Sequence, residues 1–387
     1  MGERLRAWVG RTSGWVALLP MLAAAQGAPE PYEDSIALSD DAAETVPQAP
    51  DAAVATPVET LVVYGEKLGR TLTETASSVG IATREDLAAG TAADLRAVAT
   101  QFGNVVAAGG DREIAIRGIP LTGIGGEGET ISVYLDGVAL PPQAARFAGP
   151  LSAWDLEQIE VLRGAQSTNQ GRNSLAGSVV LQSRDPTAYW DARLRAGVMS
   201  RDGHDYAVAG GGPLSDSLRF RVSAQDRYDN GDIVNVTRQE DDAGREDTRN
   251  ARASLLWTPA ALPGYRARYG VAYADNEFGD PLHDSSAGPR TQSADVRGSE
   301  NDITTLHSLQ QRLPLGGAWR AEAVTGWVQI ENLYTIDYDR SASDGGYSDN
   351  TLDERIFSQE LRAHYDGARL RAVVGAYYAD SDKQTAT

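Results

Sequence analysis

From Tyr189 to the C-terminus one pattern recurs: apolar and polar residues alternate along segments separated by turn-rich stretches. Trp190, Ala192, Leu194, Ala196 and Val198 alternate with Asp191, Arg193 and Arg195. Leu218, Phe220, Val222 and Ala224 alternate with Arg219, Arg221, Ser223 and Gln225. Ala251, Ala253, Leu255 and Trp257 alternate with Arg252 and Ser254, and Tyr265 to Tyr273 repeats the scheme around Arg266 and Arg268. A period of two is a strand period, so each segment has one apolar face and one arginine-bearing face.

The connections alternate as well. Short ones fall near Gly212 to Asp216, Pro259 to Gly264, Leu313 to Gly317 and Asp366 to Ala368. Long polar ones fall near Asp229 to Asp247, Asp275 to Glu300 and Asp339 to Leu352. Short turns on one rim and long loops on the other are the rhythm of an outer-membrane barrel, with lipid outside and a polar lumen inside. Trp190, Trp257 and Trp319 lie at the short-turn ends. Trp327 shares the parity of Trp319, and eight tilted residues climb roughly 20 Å, so two aromatic girdles are expected. No run of 18 or more apolar residues is present, which removes a transmembrane helix but not a barrel.

Composition narrows the chemistry. The 387 residues carry 35 basic and 54 acidic side chains, a formal net charge of −19. So acidic a chain is a poor partner for nucleic acid. Cysteine is absent, which excludes disulfides, thiolate metal sites and a cysteine nucleophile. His204, His283, His307 and His364 stand apart, without the spacing of a zinc helix. The glycine-rich Thr122 to Thr130 matches neither GxGxxG nor GxxxxGK[ST]. No catalytic constellation, resident metal or cofactor is expected. The one candidate cation site is Asp337, Tyr338 and Asp339 with Asp344 and Asp349 nearby. It lacks the spacing of a calcium loop and reads as a solvated loop.

The first half is organised differently. Residues 1–28 read as a secretory signal: Arg4, Arg6 and Arg11 precede a short apolar run, Trp15 to Ala25, and small residues suited to cleavage. Residues 29–57 are rich in Ala, Pro, Asp and Glu, the composition of a flexible extension. A β-prone run follows, Glu59-Thr60-Leu61-Val62-Val63-Tyr64-Gly65. An extended segment on a tether can add itself to a partner's sheet edge; equally, it can be the first strand of the next unit. Residues 70–186 then read as a compact α+β unit. A strand leads into a helix near Ser77 to Leu87, and Thr91 caps a second helix running to Phe102. Two further strands end in Arg117-Gly118 and Asp136-Gly137.

That unit closes on Ile159 to Pro186, IEVLRGAQSTNQGRNSLAGSVVLQSRDP, two strands around a polar glycine-bearing loop. The passage resembles the C-terminal end of the plug domain of TonB-dependent outer-membrane receptors. Glu160, Val161, Leu162, Arg163, Gly164, Gln166, Thr168, Gly171, Arg172, Asn173, Gly177 and Pro186 fall on the family pattern. Ala165, Ser167 and Asn169-Gln170 depart from its proline, glycine and Leu-Tyr. Arg117-Gly118 and Asp136-Gly137 are family steps too.

The resemblance implies a mainly β fold: a small plug at 67–187, followed at 188–387 by antiparallel transmembrane strands. It makes residues 58–66 the TonB box, with Glu59 to Gly65 gripped by TonB. It also implies uptake of a scarce nutrient across the outer membrane of a Gram-negative bacterium, a ferric siderophore first, with cobalamin, haem or oligosaccharide as alternatives. The partners implied are TonB, the ligand and outer-membrane lipid. Glu160, Arg163 and Arg172 are expected on the plug surface, paired with a polar barrel wall. About nine strands are countable after Tyr189, where receptors of this design have about 22. An open edge in hydrocarbon is costly, so the sequence reads as a fragment or truncated product. The alternative is a non-transporting fragment or a plug-only interaction protein.

Overall fold

In a computed structural model, the structure describes residues 61–89, 94–108, 113–121, 130–141, 151–166, 170, 174–200, 202–280 and 288–387. The first described element is a two-stranded ribbon, β1 (Val62–Val63) against β2 (Arg70–Thr71). Then come β3 (Ser78–Thr83), α1 (Arg84–Ala89) and α2 (Leu95–Ala99). The helix expected from Thr91 starts later. Its N-cap is Asp94, whose carboxylate accepts the Ala97 N–H at 2.8 Å. Thr91 itself lies outside the described residues.

Next are β4 (Val105–Ala108), β5 (Glu113–Ile116), β6 (Ile119–Pro120), β7 (Ile131–Leu135) and β8 (Val138–Ala139). Finally come β9 (Leu156–Arg163) and β10 (Gly177–Ser183). Strands β3-β9-β10-β7-β8 form a five-stranded sheet, in which β10 runs parallel to β7; β4-β5-β6 form a small second sheet. The two dipeptides Arg117-Gly118 and Asp136-Gly137 are the hairpin turns β5–β6 and β7–β8. Both residues of each have positive φ (54° and 79°; 51° and 79°), the geometry that matches the twist of a tight hairpin.

Nine antiparallel strands follow in strict order: β11 (Asp191–Val198), β12 (His204–Pro213), β13 (Leu218–Asp229), β15 (Glu246–Trp257), β16 (Arg266–Gly279), β18 (Ser299–Gly316), β19 (Trp319–Asp337), β20 (Tyr347–Asp366) and β21 (Arg371–Ala386). Among the described residues, β11 and β21 each have one neighbour, so the sheet is open. The long loops are not featureless. β14 (Val234–Asn235) pairs in parallel with β17 (Thr291–Gln292), tying two of them together. Such two-residue strands leave no periodic signal.

The alternation divides the sheet. Leu194, Val222, Leu255, Tyr269 and Phe357 point away from the plug and are exposed. Trp190, Trp257 and Trp319 line the short-turn rim, against Phe220, Tyr265 and Tyr365 with ring centres 5.6, 5.8 and 5.0 Å apart. Trp327 forms the upper girdle with His307, whose Nδ1 lies 2.7 Å from the Tyr269 hydroxyl. On the inner face Leu306, Val324, Val328, Ile330 and Leu352 join the plug core of Val133, Leu135, Val138, Ile159, Val161 and Leu181. Contact is close at Gly326, where a Cβ would meet Val138 Cγ1 at 2.5 Å and Ser358 Oγ at 2.7 Å. Gly326→Val should therefore cost about 1–3 kcal/mol by overpacking, read as a lower thermal midpoint. An unchanged midpoint would mean the wall does not press on the plug there.

Candidate functional site

Side chains 158, 160 and 162 share one face of β9, because strand neighbours alternate. The opposite face, with Ile159 and Val161, enters the plug core. On the face of Gln158, Glu160 and Leu162 lies the leading segment Leu61 to Gly65. Tyr64 N–H donates to Glu160 Oε1 at 2.7 Å, and Gly65 N–H donates to Oε2 at 2.9 Å. Gln158 Nε2 donates to the Val62 carbonyl at 2.9 Å and to Glu160 Oε1 at 2.6 Å. Gln170 Nε2 donates to the Gly65 carbonyl at 2.5 Å. Gly65 presses so closely that a Cβ would lie 2.5 Å from Leu162 Cδ1. The latch is thus one carboxylate and two carboxamides gripping backbone. It holds main chain, so the segment can leave without breaking a side-chain lock.

Glu160 is 0% exposed. It does not face the barrel wall as expected from sequence; it turns toward the leading segment. Burial raises its carboxyl above the ordinary value of 4.5, against the lowering by the Gly65 and Tyr64 N–H groups and Gln158. A proton is then held more tightly in the folded than in the unfolded state. The stability this group contributes is complete below the ordinary value and is lost as pH rises through the raised one. Thermal midpoints of wild type and Glu160→Gln, compared from about pH 4 to about pH 8, should diverge: wild type gives up stability relative to the variant as pH rises. A constant difference over that range contradicts the assignment.

The other family positions separate. Arg163 does not reach the wall either; its Nη1 donates to the Gly103 carbonyl at 2.8 Å, inside the plug. Gly164 has φ of 106°, and Gly177 sits where a Cβ would strike the Leu162 carbonyl at 2.3 Å. Gly118 and Gly137 are the hairpin glycines described above. Asp136 is a junction: Oδ1 accepts the Ser183 N–H at 2.8 Å, Oδ2 lies 3.0 Å from Arg268 of β16, and its carbonyl accepts from Gln310 of β18 at 2.5 Å. Glu59, Thr60, Gly171 and Arg172 lie outside the described residues.

What seats the plug against the wall was missed in the sequence. Asp155 accepts from Arg221 Nε at 2.7 Å and Nη2 at 2.5 Å, and from Arg193 at 2.5 Å. Arg221 also reaches Asp191 at 3.0 Å. Higher up, Arg227 donates to Asp94 at 3.0 Å and Arg96 to Glu246 at 3.2 Å. The only clue was the inward stripe of arginines, which names the wall's half of each pair and not the plug's.

In the long loops, Asp295, Asp337 and Asp339 bring carboxylate oxygens within 4.8 Å of one another; Asp344 and Asp349 stand apart. Asp337 is 2% exposed, so it is not a solvated loop residue. Its Oδ1 accepts the Asp339 and Arg340 N–H groups at 3.2 and 3.0 Å, and its Oδ2 the Val296 N–H at 3.4 Å. These bonds join two loops and account for the residue without an ion.

The described geometry is thus a small α+β unit latched to its own leading segment and seated by ion pairs on a nine-stranded antiparallel sheet. The family profile described as TonB-dependent Receptor Plug Domain matches residues 71–178. The chain is 29% identical to the pesticin receptor of Yersinia pestis over 134 residues, 34% of this chain and 19% of that one. It is 32% identical to the ferrioxamine B receptor of Salmonella typhimurium (strain LT2) over 165 residues, 40% and 22%. In structure it resembles the ferric yersiniabactin uptake receptor of Yersinia pestis, with a TM-score of 0.74 at 18% identity, covering 84% of this chain and 51% of that one. The alcaligin outer-membrane receptor of Bordetella pertussis gives a TM-score of 0.62 at 16% identity, covering 85% and 51%. The chain thus spans about half the length of these structures and less of the curated relatives. Residues 71–178 match the plug domain of TonB-dependent receptors, and the nine antiparallel strands that follow share the fold of part of such receptors.

Proposed function

We propose that the chain serves TonB-dependent uptake of a scarce nutrient across the outer membrane, a ferric siderophore first. The observation that carries this reading is the latch: Leu61 to Gly65 is held by backbone bonds to Glu160, Gln158 and Gln170. A segment bound through its backbone can exchange one partner for another of the same chemistry. In this mechanism TonB takes Glu59 to Gly65 as a strand, and tension along it pulls directly on β9. No bond in the cargo is broken, and the chain is a transporter component and not an enzyme. The names of the relatives, receptors for ferrioxamine B and ferric yersiniabactin, support iron chelates as cargo.

In the same reading residues 1–28 are the signal peptide, 29–57 a periplasmic extension, 58–66 the TonB box, 67–187 the plug and 188–387 part of the barrel. The short-turn rim faces the periplasm and the long loops face outward. Deleting Glu59 to Gly65 should abolish accumulation of a radiolabelled ferric siderophore in iron-limited cells without changing the amount of protein in the outer membrane. Accumulation that ignores the deletion overturns the reading.

A further inference from the structure

Between the leading ribbon and the inner face of β18 to β20, at the short-turn rim, lies a cavity of about 1090 Å³. That is the size of a small-molecule site. Its charge is opposite to that of the chain. Among the described residues it is lined by eight Lys or Arg side chains and six carboxylates, in a sequence with 35 basic and 54 acidic residues.

The excess gathers at one place. Glu322 is shared by Arg320 Nε at 3.2 Å, Arg362 Nη2 at 3.6 Å and Arg312 Nε at 3.7 Å. His364 Nε2 lies 3.1 Å from the same carboxylate, while its Nδ1 meets Arg320 Nη2 at 3.0 Å. The next carboxylate, Glu360, is already held by Lys67 at 2.9 Å. Buried Arg362 Nε makes no hydrogen bond among the described residues. Arg320 also pairs with Asp366, and Arg362 Nε lies 3.9 Å from Glu360. The carboxylates here are shared among more guanidinium donors than they can bind bidentately, and such planar forks suit bidentate anions.

We infer that this cavity is an anion site for the cargo, and that the cargo it takes is a small polyanionic chelate bearing carboxylate or equivalent oxyanion groups. The inference rests on the uptake reading and adds to it a charge class and a place of contact. A polyanion here stands against the inner wall beside Lys67, directly under the latched segment. Release of that segment opens the ribbon side of the cavity.

The test is binding in vitro, with no TonB present, so it fails independently of the uptake reading. The detergent-solubilised chain is titrated with pyrenetetrasulfonate, a fluorescent polyanion, followed by anisotropy, with a neutral hydroxymethylpyrene as control and ferric citrate as competitor. Expected are salt-sensitive binding of the tetrasulfonate, displacement by ferric citrate, and affinity at least about tenfold weaker in Arg320→Gln/Arg362→Gln. Glu322→Gln, which removes the shared carboxylate, should bind several-fold more tightly, an opposite sign that misfolding cannot imitate. Equal binding of the neutral pyrene, undiminished affinity in the double arginine variant, or weaker binding in Glu322→Gln each overturns the site.

Discussion

At a pH where Glu160 is ionised, replacing it with glutamine should raise the hydrogen-exchange rates of the Tyr64 and Gly65 amides by about two orders of magnitude. Both amides have the carboxylate of the fully buried Glu160 as their acceptor, at 2.7 Å in a part-buried bond and 2.9 Å in a buried one. A hydrogen bond to a charged group contributes about 1.5–3 kcal/mol, and each 1.36 kcal/mol is a factor of ten. Glutamine retains one acceptor oxygen and turns an NH₂ toward the other amide. One bond is therefore lost outright and the other becomes neutral. Leu162 still packs against Gly65, so the segment loosens while the plug stays folded. The amides of Val161 and Val179, paired with each other across β9 and β10, should keep their protection and serve as the internal control. Unchanged exchange at 64 and 65 would mean that something other than Glu160 holds the segment.

The second large effect is expected at Asp155. Its carboxylate is the shared acceptor for Arg221 and Arg193, and Arg221 is 2% exposed. Asp155→Ala leaves a buried guanidinium with only Asp191 as counter-charge. Removing one partner of a buried ion pair costs about 3–5 kcal/mol, far more than losing an exposed pair. Because the pair joins plug to wall, the loss should appear as release of the plug from the sheet. Limited proteolysis of the variant should cut the plug while sparing the strands. Restoring neutrality with Asp155→Ala/Arg221→Met should recover much of the stability, since an apolar pair of similar bulk avoids the stranded charge. A single variant as resistant as wild type would show that the pair does not seat the plug.

The sheet was legible because lipid enforces it. Each membrane strand must show apolar groups on one side and polar groups on the other, so residues 190–198, 218–225, 251–257 and 265–273 declared both strand and face. The hairpin turns were legible because only Gly and a few tolerant residues accept positive φ at Asp136-Gly137 and Arg117-Gly118. The leading segment was legible as β-prone and ambiguous in partner; its described part holds the two-residue β1, paired with β2 and gripped by side chains of β9 and by Gln170.

What stayed hidden were choices among chemically equivalent partners. Glu160 could have faced wall or segment; alternation fixes that it lies on the face of Gln158 and Leu162, but not what covers that face. Asp94 and Thr91 are both good caps, and the fold uses Asp94 because its other oxygen also meets Arg227. Asp155 and Arg221 stand 66 residues apart in different units, beyond the reach of any local pattern.

The most direct measurement is the affinity of the periplasmic part of TonB for three detergent-solubilised forms: wild type, the deletion of Glu59 to Gly65, and Glu160→Gln. Apparent affinity rises in proportion to the fraction of receptor whose segment is free. The latch mechanism predicts no binding by the deletion and binding by Glu160→Gln about tenfold or more tighter than wild type. Equal binding by wild type and the deletion would contradict it, because TonB would then be gripping some other part of the chain.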